Sequence, residues 1–307
     1  MEFIRPGINL NIVGRMKTAA ICSLIMIVIS ITSLILRGGP RLGIDFAGGT
    51  LAQIKFQKET TVDRIRSGLK TIDLEGSVIQ EFGYRDNKEF LLRTEKSTSD
   101  LEGLSGKIED ALTAAYGKGE FEVRRVEVVG PKVGADLRKK GISAMVIAMI
   151  GILVYITWRF EFRYAVGAII ALIHDVIITI GVFSLSDREL TLPIIAALLT
   201  IIGYSLNDTI VVFDRIRENV RKFRKQSLRE VTNSSINQVL SRTILTSATT
   251  LLVVLALFFL GGAVIHDFAF ALLIGILIGT YSSAFIASPA VLAWETFKPS
   301  RKKGGNR

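Results

Sequence analysis

The sequence predicts a polytopic α-helical membrane protein with six transmembrane helices and one small α+β domain between the first and second. Three observations carry that fold class. Six apolar runs are each long enough to cross a hydrocarbon core of about 30 Å. Residues 41–137, after the first run, instead alternate charged and apolar positions as a soluble domain does. Basic residues gather at one set of run ends, which gives the spans a direction. The 307 residues are 49% hydrophobic with a net charge of +10. That charge would suit nucleic acid, but the basic residues flank apolar runs as cytoplasmic membrane borders do, so no nucleic-acid partner is expected.

At the N-terminus, Arg5, Arg15 and Lys17 precede an uncharged run from Thr18 to Leu36. A signal peptide would have a shorter apolar region and a small-residue cleavage site; Arg37-Gly-Gly-Pro40 follows here, so an uncleaved first span is expected. In the domain that follows, Ile44 to Phe56 reads as a strand interrupted at Gly48-Gly49. Thr61 to Leu74 reads as a helix with Val62, Ile65, Leu69 and Ile72 on one face. Val78 to Thr94 reads as a hairpin turning at Arg85-Asp86-Asn87-Lys88. Asp100 to Tyr116 reads as a second helix facing inward with Leu101, Leu104, Ile108 and Leu112, and Phe121 to Val129 as the last strand. The order β-α-β-β-α-β is the ferredoxin-like split motif. Nothing in this domain has the spacing of a catalytic constellation, so a binding or transmission module is expected. Residues 36–42 and 130–140, with glycine and proline at both ends, read as its linkers.

Five further spans are expected at Ile142–Trp158, Ala165–Leu185, Leu190–Phe213, Thr243–Val264 and Phe268–Ala293. Segments 1–17, 158–163, 214–230 and 298–307 hold 3, 2, 7 and 5 basic residues, whereas 186–189 and 261–267 hold only Arg188. Both termini and the basic 214–230 loop are therefore expected on the cytoplasmic side, with the α+β domain, about residues 38–140, outside. Arg138-Lys139-Lys140 runs against this, but long translocated domains are largely exempt from the charge rule.

The polar residues within the spans are the candidate site. Asn207 and Asp208 lie inside the fourth span, about 8 Å from its cytoplasmic end. A carboxylate at that depth costs several kcal/mol unless paired, hydrated or protonated. Thr200, Tyr204 and Asp208 recur at i, i+4 and i+8 on one face. A proton or ion site and a packing hydrogen bond between helices both fit this pattern. His174-Asp175, near the middle of the third span, fits a proton relay or a bond to a neighbouring helix or a partner subunit. In the fifth span Arg242, Thr246 and Thr250 share a face within a run that also holds Ser247 and Thr249. Arg242 alone reads as a snorkelling anchor. Its depth matches that of Asp208, which raises an ion pair between them. Gly275-Ile-Leu-Ile-Gly279 in the sixth span is a small-xxx-small packing pattern.

Several function classes are excluded. Cys22 is the sole cysteine and His174 and His266 the sole histidines, so no disulfide framework or metal centre is expected. No phosphate-binding loop, dinucleotide fingerprint or Ser-His-Asp spacing appears, so neither ATP hydrolysis nor a cofactor is expected.

One span, an external domain and five more spans resemble half of an RND-type transporter. Gly43-Ile-Asp-Phe-Ala-Gly-Gly-Thr50 is similar to the signature of the SecD and SecF family, auxiliary subunits of the bacterial protein translocase. Trp158-Arg-Phe-Glu-Phe-Arg-Tyr164, Ala171-Leu-Ile-His-Asp175, Gly203-Tyr-Ser-Leu-Asn-Asp208, Asp214-Arg-Ile-Arg-Glu-Asn219 and Ser241-Arg-Thr243 resemble its SecF branch. The resemblance implies a plasma-membrane subunit that works with SecD, the SecYEG channel, unfolded preprotein, YajC and membrane lipids. It implies use of the proton motive force in late export. Asp208 would accept the proton and Arg242 would be its charge partner, with Asn207, Asp175, Thr246 and Tyr204 as lesser contributors. An acid from SecD completes the family's path, and the external domain would move as protonation changes. A structural scaffold and an RND-type small-molecule exporter are the rival readings.

Overall fold

A computed structural model describes residues 9–82, 88–94 and 101–297. Its chain forms two compact units, Leu42–Ser143 with Glu189–Leu192, and Met1–Arg41 with Ala144–Arg188 and Pro193–Arg307. The first is α+β and the second helical.

The α+β unit is built on one antiparallel sheet in the order β2-β3-β1-β4, from strands β1 (Gly49–Phe56), β2 (Val78–Phe82), β3 (Glu89–Thr94) and β4 (Phe121–Val129). Alternation on β1 sends Ala52, Ile54 and Phe56 to one face. On that face lie α3 (Val62–Leu69), through Ile65 and Leu69, and α4 (Leu101–Tyr116), through Leu104, Ile108 and Leu112. Phe56 is the centre of an aromatic group, 5.7 Å from Phe90, 4.8 Å from Tyr116 and 6.1 Å from Phe121 between ring centroids. The strand order and the two helices on one face are the ferredoxin-like arrangement. Residues 85–87 of the expected hairpin turn lie outside the described residues.

Three expectations are corrected here. Ile44 to Phe56 is not one interrupted strand. Ile44–Ala47 forms a single helical turn, α2, and the chain reverses through Gly48 and Gly49, at φ 79° and 119°, before β1 begins. Gly48 is required twice over, because a Cβ there would also lie 2.8 Å from the Pro131 Cα. Residues 131–140, expected within a linker, are helical. Pro131, pre-set for the first turn of a helix, opens α5, which runs unbroken to Arg159. The glycine within it, Gly134, serves a close approach, since a Cβ would stand 3.0 Å from the Phe46 carbonyl oxygen. Nor is 214–230 a loop. α7 (Leu192–Lys222) and α8 (Leu228–Leu260) extend far past the apolar runs and leave five residues between them. Ser227 and Glu230 form a reciprocal capping box at the start of α8, and Asn219 donates to Ser235 and Gln238 across the turn.

The set of helices with membrane-crossing length and hydropathy has six members among the described residues, at Val13–Leu36, Pro131–Arg159, Phe162–Leu185, Leu192–Lys222, Leu228–Leu260 and Val264–Glu295. α6 (Phe162–Leu185) is its most buried member, with 56% of its apolar window inside against 11% for α5. A row of small residues explains that. Ala165, Ala168 and Ala171 are fully buried, and Gly167 lies where a Cβ would come 3.0 Å from the Ala287 carbonyl. α1 (Met16–Leu36) meets α6 at Ser33, 2.8 Å from Ser184, and at Gly181, where a Cβ would fall 2.1 Å from the Ser30 Cβ. α9 (Gly262–Ser282) meets α7 through the glycine pattern of the sixth span, Gly275 against Ile201 and Gly279 against Ser205. One π turn, Ser283–Ala287, joins α9 to α10 (Ser288–Phe297). By contrast, α1, α5 and α8 carry exposed Ile, Leu, Val and Phe side chains along their outer faces, a surface suited to lipid or another apolar partner.

These contacts give a paired expectation. Gly181→Val drives a branched side chain into the α1 backbone, and overpacking of this kind costs about 1–3 kcal/mol. Gly203→Ala meets no atom within 4 Å. Thermal unfolding of the detergent-purified protein is expected to show a clear loss for the first and no loss for the second.

Candidate functional site

Among the described residues two carboxylates are buried in the helical unit, Asp175 on α6 and Asp208 on α7. Asp175, 1% exposed on α6, is fully engaged. Its Oδ1 lies 2.9 Å from His174 Nδ1, and its Oδ2 accepts from Ser205 Oγ of α7 at 2.6 Å and Ser282 Oγ of α9 at 2.8 Å. Thr179 Oγ1 bonds the Asp175 carbonyl at 2.7 Å. A carboxylate with this complement ties three helices together, which is the packing alternative that the sequence left open for His174-Asp175.

Asp208, 4% exposed on α7, is differently served. Among the described residues its side-chain donor is Ser247 Oγ of α8, at 3.4 Å from Oδ2. Ser247 Oγ in turn lies 2.7 Å from Thr280 Oγ1 of α9, which donates to the Ile276 carbonyl at 2.7 Å. One long hydrogen bond leaves most of the lone pairs of a buried carboxylate without a protein donor, a state that polar groups in protein interiors rarely occupy. The Ser247–Thr280 pair borders an apolar cavity of about 500 Å³. Thr243 Oγ1, buried without a partner among the described residues, belongs to a residue lining the same cavity.

The expected ion pair between Asp208 and Arg242 is not formed among the described residues, where Ser247 takes the place facing the carboxylate. Arg242 is exposed and lines a separate polar cavity of about 320 Å³ with Asp214, Arg215, Glu218 and Gln238. The physical reason is helical phase: residues five apart on α8 differ by about 140° around the axis, so Arg242 and Ser247 address different neighbours. Asn207, next to Asp208 in sequence, is exposed for the same reason. Tyr204 donates to Thr250 Oγ1 at 3.2 Å and links α7 to α8 about one turn from Asp208. Thr246 spends its hydroxyl on its own helix, at 3.0 Å from the carbonyls of Arg242 and Thr243. The polar stripe of Thr200, Tyr204 and Asp208 drifts by about 40° per step, which carries it from an exposed Thr200 to a buried Asp208.

Sequence reasoning selected Thr246 where Ser247 meets the acid, and it missed Ser205, Thr280 and Ser282. Thr280-Tyr-Ser-Ser283, in an apolar span just after the glycine pattern, was the available signal, because hydroxyls at depth in a span bond either their own backbone or a neighbouring helix.

The chain matches the family model described as protein export membrane protein SecD/SecF, C-terminal, over residues 107–297, and the SecD/SecF GG motif over residues 34–60. It is 48% identical to the protein translocase subunit SecF of Magnetococcus marinus, over 95% of this chain and 94% of that protein. It is 41% identical to the SecF of Pseudomonas aeruginosa, over 93% and 91%. Among solved structures, the crystal structure of SecDF from Thermus thermophilus, described as a translocon-associated membrane protein, matches with a TM-score of 0.84 and 38% identity. That match covers 94% of this chain, which spans 39% of the SecDF chain. A super-membrane-facing form of SecDF matches with a TM-score of 0.70 at 37% identity, over 97% of this chain and 40% of that one. With relatives of this identity along nearly its whole length, the chain belongs to the SecF branch of the SecD/SecF family of protein export membrane proteins.

Proposed function

We propose that this chain is an auxiliary, non-enzymatic subunit of the Sec export machinery, that it pairs with SecD, and that Asp208 takes up and releases the driving proton. The observation that carries the proton reading is the contrast between the two buried acids. Asp175 is saturated by three side-chain donors, so a change in its charge would disturb three helices at once. Asp208 has one donor at 3.4 Å, so its proton can come and go while the packing stays. One elementary charge moved through a 100 mV potential gains about 2.3 kcal/mol. That energy biases a two-state equilibrium by about fiftyfold, which is enough to drive a conformational cycle.

In this reading Asp208 is the acceptor and the Ser247–Thr280 pair its hydrogen-bonded neighbour. Arg242, which forms no ion pair with Asp208 among the described residues, acts as a charge partner when SecD and water complete the path. Tyr204 and Thr246 hold the α7–α8 seam, and Asn207 faces outward toward lipid or SecD. The protein sits in the plasma membrane with both termini cytoplasmic and the α+β unit outside, where it would meet preprotein near SecYEG and YajC. The external unit moves as the protonation of Asp208 changes.

A scaffold without proton coupling is the second reading, and Asp175 favours it by showing that a carboxylate here can serve packing alone. Ionisation separates the two. In cells where Asp208→Asn replaces the parent chain at equal membrane level and still assembles with SecD, export of a reporter preprotein is expected to fall to that of cells lacking the chain. Normal export would leave the scaffold reading standing.

Two further outcomes follow from the hydroxyls. Ser247→Ala removes the long bond to Asp208 and the short bond to Thr280, and an export rate within about tenfold of the parent is expected, since each such bond contributes about 0.5–1.5 kcal/mol. Thr246→Ala, whose hydroxyl serves its own backbone, is expected to export as the parent does. Asp175→Ala orphans the buried donors on α7 and α9 at about 1–3 kcal/mol each. It is expected to lower the unfolding temperature of the purified protein, which Asp208→Asn leaves unchanged.

A further inference from the structure

The glycine motif Gly43-Ile-Asp-Phe-Ala-Gly-Gly-Thr50 has no part in the chemistry above, and within the α+β unit it performs a specific mechanical task. Residues 189–192, which lead into α7, belong to this unit. Leu190 bridges Leu42 as a parallel pair, and its carbonyl accepts from Gly43 N–H at 2.8 Å. Asp45 Oδ2 accepts from the backbone N–H of Leu192, the first residue of α7, at 2.8 Å. Glu189 forms an ion pair with Arg93 of β3, and both side chains are mostly buried. Gly43 admits the approach, since a Cβ there would lie 2.7 Å from Thr191 Cγ2.

Each motif residue has a part in this arrangement. Ile44 and Phe46 are buried anchors of the one-turn helix α2. Asp45, between them, is half-buried. Gly48 and Gly49 then turn the chain into β1, which pairs with both β3 and β4 at the centre of the sheet. The first N–H groups of any helix lack intrahelical acceptors, and a carboxylate supplied from elsewhere both satisfies one and favours the positive end of the helix dipole. Here the acceptor comes from the segment that anchors the central strand. α7 runs unbroken from Leu192 past Asp208, about 24 Å further along its axis.

We propose that Asp45 is a positioning residue for Asp208: by capping α7 from the root of β1, it makes the first residue of that helix part of the α+β unit, so that displacement along α7 and displacement of that unit are one event. A helix transmits an axial shift with little loss, because each of its hydrogen bonds lies along the axis. The tie needs a carboxylate or amide oxygen at position 45 and an ion pair at Glu189, and while threonine stands at 191 its Cγ2 leaves no room for a side chain at position 43. This inference rests on the export role proposed above.

The test uses the full chain with Cys22 replaced by Ser, co-expressed with SecD in cells lacking the native subunit, and a cysteine-free reporter preprotein. Asp45→Ala, at parental membrane level, is expected to reduce export about fivefold or more, as loss of about 1 kcal/mol of cap would allow. Asp45→Asn keeps an acceptor oxygen and is expected to stay near the parent. A disulfide between Gly43→Cys and Thr191→Cys, formed with diamide, restores the tie covalently. It is expected to rescue Asp45→Ala when oxidised and to lose the rescue in dithiothreitol, a reversal that a folding defect would not follow. Normal export by Asp45→Ala, or no rescue by the disulfide, would overturn the proposal. If the parent itself does not support export, the proposed function fails instead. Amide exchange at Leu192 in the purified protein then decides the tie: about fivefold faster exchange in Asp45→Ala supports it, and unchanged exchange overturns it.

Discussion

A charged or polar group buried among apolar helices must be satisfied by what the neighbouring helices offer. The rest of this structure depends on how two carboxylates meet that demand. Asp175 meets it completely, through donors on its own helix, on α7 and on α9, and thereby holds three helices in one register. Asp208 meets it with one long bond to Ser247. The two acids lie near the same α7–α9 seam, reached by Ser205 and Asp208 from one helix and by Thr280 and Ser282 from the other. The saturated site fixes the seam, and the under-served site beside it can change charge without breaking it.

That seam is possible only because the helices come close. Gly275 and Gly279 remove the side chains that would hold α9 away from Ile201 and Ser205, and hydroxyls of ordinary length can then bridge α7 and α9. Gly181 does the same for α1 and α6. The π turn at Ser283–Ala287 follows directly after Ser282, and Ser288 Oγ bonds the Ser283 carbonyl across it at 3.1 Å. Single π turns within helices are frequent at functional sites, where they re-aim side chains at the cost of regular bonding. The packing glycines and the polar network thus act at the same seam.

The α+β unit is organised by the same economy of small residues. Gly48 and Gly49 turn the chain into the central strand, Gly134 lets the start of α5 lie against Phe46, and Gly43 admits residues 189–192. A substitution in this signature would strain a turn or separate two backbones, although no residue of it touches the buried acids.

The sequence by itself determined the number and place of the membrane-length helices, the strand order, and the inward faces of α3 and α4. These follow from periodicity and run length, which are local properties of a chain whose apolar positions must be buried or face lipid. It marked Asp208 and Asp175 as costly at depth, because the cost belongs to the residue and its solvent. Local pattern misread where helices stop: α5, α7 and α8 run on past their apolar runs, stabilised by Pro131, the Ser227–Glu230 box and contacts such as Asn219 to Ser235. Ser227-Leu-Arg-Glu230 was a legible start signal that the basic character of the segment obscured. Only tertiary structure decided which hydroxyl meets which acid. Ser247 and Thr246 are chemically alike and adjacent, and about 100° of helical phase separates a bond to Asp208 from a bond to the helix's own backbone. The same holds for Asp45, whose partner lies 147 residues away in sequence, beyond the reach of any local pattern.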